Sequence, residues 1–513
     1  MARRTYQIPY SATPTSQPPG FLEAALGWLS RRRHIPAGVR SQIRRRYTRI
    51  GDLRYFRRFS GYDIEDNDRA RIPLSERVAF RGMWVVEFYT PPDVATMTRR
   101  LRQLDGMAPA AAANREFAKW FIAARTTSSG GWIRLPEFAP QGRRVLGRDQ
   151  IFGPMPKGVA CADAMLVGVT HGISALVVRF EYDDDFAESY GELIREDQGK
   201  ILEPLGNGFS IIGPSFLKTR KVKSWREARI AEASAWVAAN YPGHFARSGE
   251  HLPSVHLITT AESLPWDPDS PQDGLDGYGI LDLRFFGQPY WQCSDLTALK
   301  VRIANEGGPH LGKDHEGVLV CAAREAELLS EEPVGVGEHY SSSFSHAMHG
   351  LEENFSDIAV RWGLYSYVQR LGAQVAVVRD RATAISSVAS YSAFVALRNR
   401  LLATGIESQL VAKEIVSFCQ SWRWSERSPD YDELLPSFYR DSGREPVKLH
   451  TALADRIIEE TRRIAYVEKE IRELVSAAAG LTNAAYGIRL QAVVLWLTII
   501  SVIVAIIALV VAL

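Results

Sequence analysis

The 513-residue chain is too long for one compact core, so two or three structural units are expected. Its apolar fraction of 46% and charged fraction of 23% are ordinary for a folded protein, and a net charge of +2 points to no partner by bulk electrostatics. Cys161, Cys293, Cys321 and Cys419 are scattered and form no C-x-x-C, which argues against a disulfide framework or zinc cage and fits a reducing compartment. The excess of arginine over lysine suits a GC-rich bacterial genome.

Residues 1–20 carry Pro9, Pro14, Pro18 and Pro19 among Ser and Thr and are expected to be disordered. Phe21–Ser30 is too short for a secretory signal, contains Glu23 and precedes rather than follows its basic cluster, so it reads as a short amphipathic helix. Eleven arginines then fall between Arg31 and Arg58 against one acid, Asp52. The densest groups are Arg31, Arg32 and Arg33, then Arg44, Arg45 and Arg46, then Arg57 and Arg58, with Tyr47, Tyr55, Phe56 and Phe59 interleaved. Such a stretch is a solvated or internally paired arm, a contact for anionic lipid, or a contact for nucleic acid. Lipid is favoured over nucleic acid by the membrane segment described below. Asp63, Glu65 and Asn67 imitate the start of a calcium loop, but Asp68 replaces the required glycine and Leu74 the bidentate glutamate, so an EF-hand is rejected.

From Val78 the texture is α+β, a mixed or antiparallel sheet with helices. Val78–Thr90 reads as a strand and Pro91–Leu104 as a helix. Residues 163–183 read as two strands joined near His171–Gly172 in an antiparallel hairpin. Trp225–Asn240 reads as a helix, and the runs SVHLITT, YGILDLRFF and GVLVCAA as further strands. Residues 345–424 return to helical period, with Gly405 a stop. The expected organisation is an N-terminal arm (1–75), an α/β domain (76–330), a helical region (331–447), a stalk helix (448–489) and a transmembrane helix (490–513).

Chemistry is sparsely marked. No Walker loop, Rossmann fingerprint, H-E-x-x-H or G-x-S-x-G occurs, and an enzyme is not indicated. Weak metal candidates are Asp267, Asp269 and Asp273 in a Pro/Gly-rich loop, where turn-forming is the competing role, and His346 and His349, three apart in a region that also holds His310, His315 and His339. No cofactor is indicated.

The C-terminal end is the most informative. Leu490–Leu513 contains no charged side chain, and its twenty-four residues rise about 36 Å as a helix, enough to cross a hydrocarbon core of about 30 Å. Arg489 immediately before it favours a cytosolic N-terminal part, in a bacterial inner membrane if the genome reading holds. Gln491, Thr498, Ser501, Ala505, Ala508 and Ala512 share one face, a stripe suited to helix–helix contact or to lining a narrow pore. Upstream, Leu453, Val467, Leu474, Leu481 and Ile488 recur in sevens with Glu460 the break, and Ile457, Ile464 and Ile471 form the second series of a heptad seam. The seam is served either by parallel copies of the same chain in a homo-oligomer or by the chain's own helices.

A long helix entering the membrane as RLQAVVLWLTIISVIVAIIALVV, after an α/β domain, resembles the stalk and first membrane helix of CorA-type divalent cation transporters. The resemblance covers roughly the last 65 residues, and the Gly-Met-Asn motif and second membrane helix of that family are absent. It implies a stalked, oligomeric architecture. The expected function is a single-pass, C-terminally anchored membrane protein whose cytosolic α/β domain senses or binds a ligand or acts as an effector. The alternatives are a CorA-like oligomeric channel or transporter, and a membrane-tethered enzyme using the His310–His349 region.

Overall fold

The computed structural model describes residues 6–7, 21–32, 34–58, 61–107, 116–127, 131–142, 150–205, 208–266, 276–284, 290–304, 318–330, 352–386, 411–421, 430–434, 443 and 445–512. Its strands are β1 (Tyr6–Gln7), β2 (Val78–Tyr89), β3 (Trp132–Arg134), β4 (Glu137–Ala139), β5 (Gln150–Phe152), β6 (Val159–Gly168), β7 (Ser174–Tyr182), β8 (Ile201–Leu205), β9 (Gly208–Ile212), β10 (Ser254–Thr260), β11 (Tyr290–Cys293), β12 (Lys300–Ala304), β13 (Val318–Arg324) and β14 (Tyr431–Leu434). β1, β8 and β9 make a small sheet, so Tyr6 and Gln7, expected to be without structure, are paired to Leu202 and Ile201. The other eleven form one mixed sheet in the order β14-β11-β12-β13-β10-β2-β7-β6-β4-β5, with β3 also on β6. β10 and β13 run parallel, as do β4 and β5; the remaining pairs are antiparallel. The chain is therefore α+β with a mixed sheet, as its patterning implied.

β2 lies at the centre and is buried at all twelve positions, which explains why its sequence shows an apolar run rather than alternation. Its pairing with β10 slips between Leu257 and Ile258, which face Gly82 and Phe80 and leave Arg81 without a facing residue. The slip reverses the faces. Phe80 packs against Tyr182, Tyr190, Trp225 and His256, beneath α6 (Asp184–Glu192) and α7 (Pro214–Asn240). Trp84 instead stacks on Phe355, and Phe88 meets Tyr367, on the opposite side of the sheet. The extra residue, Arg81, is pinned by Asp184 at 2.6 Å and Glu325 at 2.9 Å. A bulge of this kind re-aims a strand without ending it.

Phe355 and Tyr367 belong to a helix from Glu352 to Ser386, the trunk helix. It approaches β2 closely: a Cβ on Gly363 would lie 3.0 Å from Val86. The last helix, the terminal helix, runs without a break from Leu449 to Ala512. Trunk and terminal helices pack extensively. Arg361 lies electrostatically close to His450, and Gly372 is apposed to Glu460 and Ile464, so the two run in the same direction. Parallel neighbours need a return connection, here supplied by residues 387–448, in which 411–419 are helical.

Other helices are α1 (Phe21–Ser30), α2 (Ala37–Arg58), α3 (Gly61–Arg69), α4 (Val94–Met107), α5 (Phe117–Thr127), α8 (His244–Ser248), α9 (Gly277–Ile280) and α10 (Glu325–Ser330). α7 starts eleven residues before the expected Trp225. A short 3-10 turn, Pro91–Asp93, opens the helix expected from Pro91. The strand expected in YGILDLRFF is corrected: Gly277–Ile280 is one turn of helix capped by the Asp276 side chain on the Gly279 N–H, and Asp282 is left-handed at φ 63. Gly277 permits the close packing, since a Cβ there would meet the Arg71 carbonyl oxygen at 2.4 Å. Asp63 and Asn67 lie within helix α3. Asp63 pairs with Lys200, and Asn67 accepts from the Gln198 N–H at 3.0 Å and donates to its carbonyl at 2.9 Å, in keeping with rejection of a calcium loop.

Among the described residues, no helix is long and apolar enough to cross a membrane. The described side chains of the terminal helix end at Ser501.

Candidate functional site

The heptad seam of the terminal helix is occupied from within the chain. Leu453 and Ile457 are fully buried, and Ile464 and Ile471 nearly so, with Val467 half-buried. Glu460, the break in the heptad, lies where Gly372 lets the trunk helix come close, with its Oε1 2.7 Å from a Cβ built there. The side chains of Leu474, Leu481 and Ile488 lie outside the described residues. The seam thus has an intramolecular partner over its first three turns and more.

Beyond the seam the helix changes character. Every position from Leu490 to Ser501 is exposed, on all sides of the helix. Leu490, Val493, Val494, Leu495, Trp496, Leu497, Ile499 and Ile500 stand in solvent, between 40% and 66% accessible. Within the stripe, Gln491 and Ser501 are exposed, while the Thr498 hydroxyl donates to the Val494 carbonyl at 2.8 Å and is satisfied inside its own helix. The side chains of Ala505, Ala508 and Ala512 lie outside the described residues.

The basic stretch is a helical hairpin. α1 lies on α2, with Gly27 so close to Tyr47 that a Cβ would sit 2.8 Å from its ring. Arg31, Arg32, Arg44, Arg45 and Arg46 are all exposed. The Arg32 guanidinium lies 4.0 Å over the Trp28 ring. Phe21, Leu22, Trp28 and Val39 are exposed on the same hairpin, Phe21 almost completely. Arg33 and the side chains of Arg57 and Arg58 lie outside the described residues. So do His346, His349, Asp267, Asp269 and Asp273. Among the described residues, no group of three or more His, Cys, Asp or Glu side chains is placed to hold a metal ion.

The titratable groups that the structure does gather are buried, and most are engaged in the fold, although the Lys218 amine and His256 Nδ1 have no hydrogen-bond partner among the described residues. Arg226, inside α7, bonds Asp282, the Tyr190 hydroxyl and the Leu281 carbonyl. Beside it His256 is held neutral, first by burial and then by the Arg226 charge, and meets the Ser254 hydroxyl at 3.0 Å. Glu76 accepts the Ala261, Glu262 and Ser263 N–H groups and the Tyr278 hydroxyl. Burial pushes its carboxyl up, but these bonds outweigh burial and leave it below its usual value. Glu87 receives the N–H groups of Phe88, Phe245 and Ala246, yet burial pushes its pKa up to about 7. Lys218 is completely buried, and burial lowers its amine to about 8 despite the nearby Asp197. Burial likewise raises the Cys161, Cys321 and Cys419 thiols, the opposite of what a nucleophile needs.

A groove of about 700 Å³ lies between α4 and α5, lined by Arg102, Asp105, Glu116, Lys119, Ile122 and Thr126. Its central carboxylate is already used: Asp105 accepts the Phe117 N–H at 2.8 Å and caps α5. The Glu76, Glu87 and Arg226 clusters were not identifiable in the sequence, because most of their partners lie far along the chain. Among the described residues, the largest continuous features that face solvent are the apolar end of the terminal helix and the arginine hairpin.

No family model, curated protein or solved structure matches the chain.

Proposed function

We propose that this chain is a membrane-anchored protein, held by Leu490–Leu513, whose α+β domain binds or senses a ligand, or acts as an effector, on the cytosolic side. The observation that carries this reading is the exposure, around its whole circumference, of an uncharged and predominantly apolar helix from Leu490 to Ser501. A helix apolar on all sides is stable only inside a protein or a bilayer. Burying a large aliphatic side chain is worth about 1.5–3 kcal/mol, so the eight exposed apolar side chains favour insertion by on the order of 10 kcal/mol. The sequence continues uncharged to Leu513 and supplies the remaining length. Arg489 at the start of the apolar run supports a cytosolic body.

Fractionation tests this reading. The full chain should sediment with membranes, resist alkaline carbonate and be released by detergent. Recovery in the supernatant after ultracentrifugation without detergent would end it.

Self-association belongs to the same reading. Since the seam from Leu453 to Ile471 is buried within the chain, copies would meet through the membrane stripe, where the exposed Gln491 and Ser501 make no hydrogen bond among the described residues. The mass of the detergent-extracted chain decides: a multimer that Ser501→Leu weakens supports it, and a monomer removes it.

A further inference from the structure

The geometry points to the α1–α2 hairpin as a second membrane contact, an electrostatic dock for anionic lipid headgroups. Arg31 and Arg32 at the bend, and Arg44, Arg45 and Arg46 on α2, are exposed, and none forms an ion pair among the described residues. Between Arg31 and Arg58 the sequence offers Asp52 alone as an internal acid. Exposed guanidiniums in this number, unpaired among the described residues, suit an external polyanion.

Exposed apolar side chains identify that polyanion as a lipid surface. Phe21 and Trp28 are seven residues apart and therefore lie on one face of α1, with Leu22 beside them. Aromatic and aliphatic side chains next to arginines suit the boundary between headgroups and acyl chains, where ring and guanidinium are both satisfied. A nucleic-acid backbone would use the arginines but leave Phe21 and Leu22 in water. The Arg32 guanidinium over Trp28 holds charge and wedge together as one unit. The proposal rests on the anchoring reading only in that a tethered chain presents its hairpin to lipid at high local concentration.

All four native cysteines are buried, so Ser41→Cys, at an exposed position on α2, creates a single reactive site for an environment-sensitive fluorophore. Full-length labelled chain is reconstituted into vesicles of phosphatidylcholine alone or with about 30 mol% phosphatidylserine, containing headgroup-quencher lipid. Quenching is expected in the anionic vesicles only, and it should fall as salt is raised. Each exposed arginine replaced by glutamine should weaken docking about fivefold, so replacing all five should weaken it at least a hundredfold. Five Arg→Lys replacements should preserve docking, and Trp28→Ala should weaken it without changing its salt dependence.

Flotation of the same samples separates the two readings. Chain that floats with neutral lipid, yet shows no quenching in anionic vesicles, overturns the hairpin proposal and leaves the anchor standing. Chain that floats only with anionic lipid, with quenching, supports the hairpin and overturns the anchor. Displacement from anionic vesicles by a single-stranded oligonucleotide at equal phosphate concentration would overturn the lipid assignment in favour of nucleic acid.

Discussion

Glu87 carries a buried carboxyl whose pKa, about 7, exceeds its ordinary value of 4.5. The folded state therefore favours the protonated form. Its contribution is fully present below about pH 4.5 and is lost as pH rises through about 7, a change of about 3 kcal/mol. Glu87→Gln mimics the protonated form, so the variant should hold its stability across this range while the native chain declines relative to it. Denaturant titrations between pH 4.5 and 8 measure the difference, and parallel curves would show that Glu87 ionises normally. Gly158 makes a second test. It is left-handed at φ 73, and a Cβ there would lie 2.2 Å from the Phe186 ring, so Gly158→Ala should cost about 2–4 kcal/mol in unfolding measurements. Residue-scale features of this kind were not legible in the sequence. Glu87 meets Phe245 and Ala246 about 160 positions away, and Arg81 meets Glu325 across 244, separations that no local pattern encodes.

Elements whose cause is local were legible. The apolar runs at Val78–Tyr89, Ser254–Thr260 and Val318–Arg324 are strands, and the turn near His171–Gly172 joins β6 to β7 as an antiparallel hairpin. YGILDLRFF misled because Tyr278, Ile280, Leu281 and Leu283 fill the core from a turn rather than a strand, with Asp276 capping and Asp282 reversing the chain. The heptad at Leu453–Ile471 was legible as a buried face, but periodicity does not say what buries it. That partner is the trunk helix. Ile457→Ala should accordingly destabilise the isolated monomer by about 2–4 kcal/mol, because its cavity opens inside one chain. Dilution should not change that loss, and a concentration-dependent loss would show that a second copy fills the seam. Gly372→Leu should separate the two helices more selectively, by driving a side chain into Glu460 and Ile464, and faster limited proteolysis after Ser386 would report it.

For the whole molecule, the order of the sheet decides how its ends are used. β14 is an edge strand, and the chain passes from it to Leu449, fully enclosed at the root of the terminal helix. Lys448 pairs with Asp430 there, and Trp291 on β11 donates to the Val447 carbonyl at 3.0 Å. The sequence shows the apolar end and the arginines as separate textures, and the fold leaves the described part of each, Leu490–Ser501 and Arg31, Arg32, Arg44, Arg45 and Arg46, exposed. The parallel pairing of trunk and terminal helices has a mechanical consequence. Tension applied at Ala512 slides one helix along the other, so the contacts from Leu453 to Ile471 bear the load together instead of peeling apart in turn. The trunk helix in turn touches the central strand through Phe355 and Gly363, so the rod is coupled to the sheet as a stiff lever rather than a slack cord.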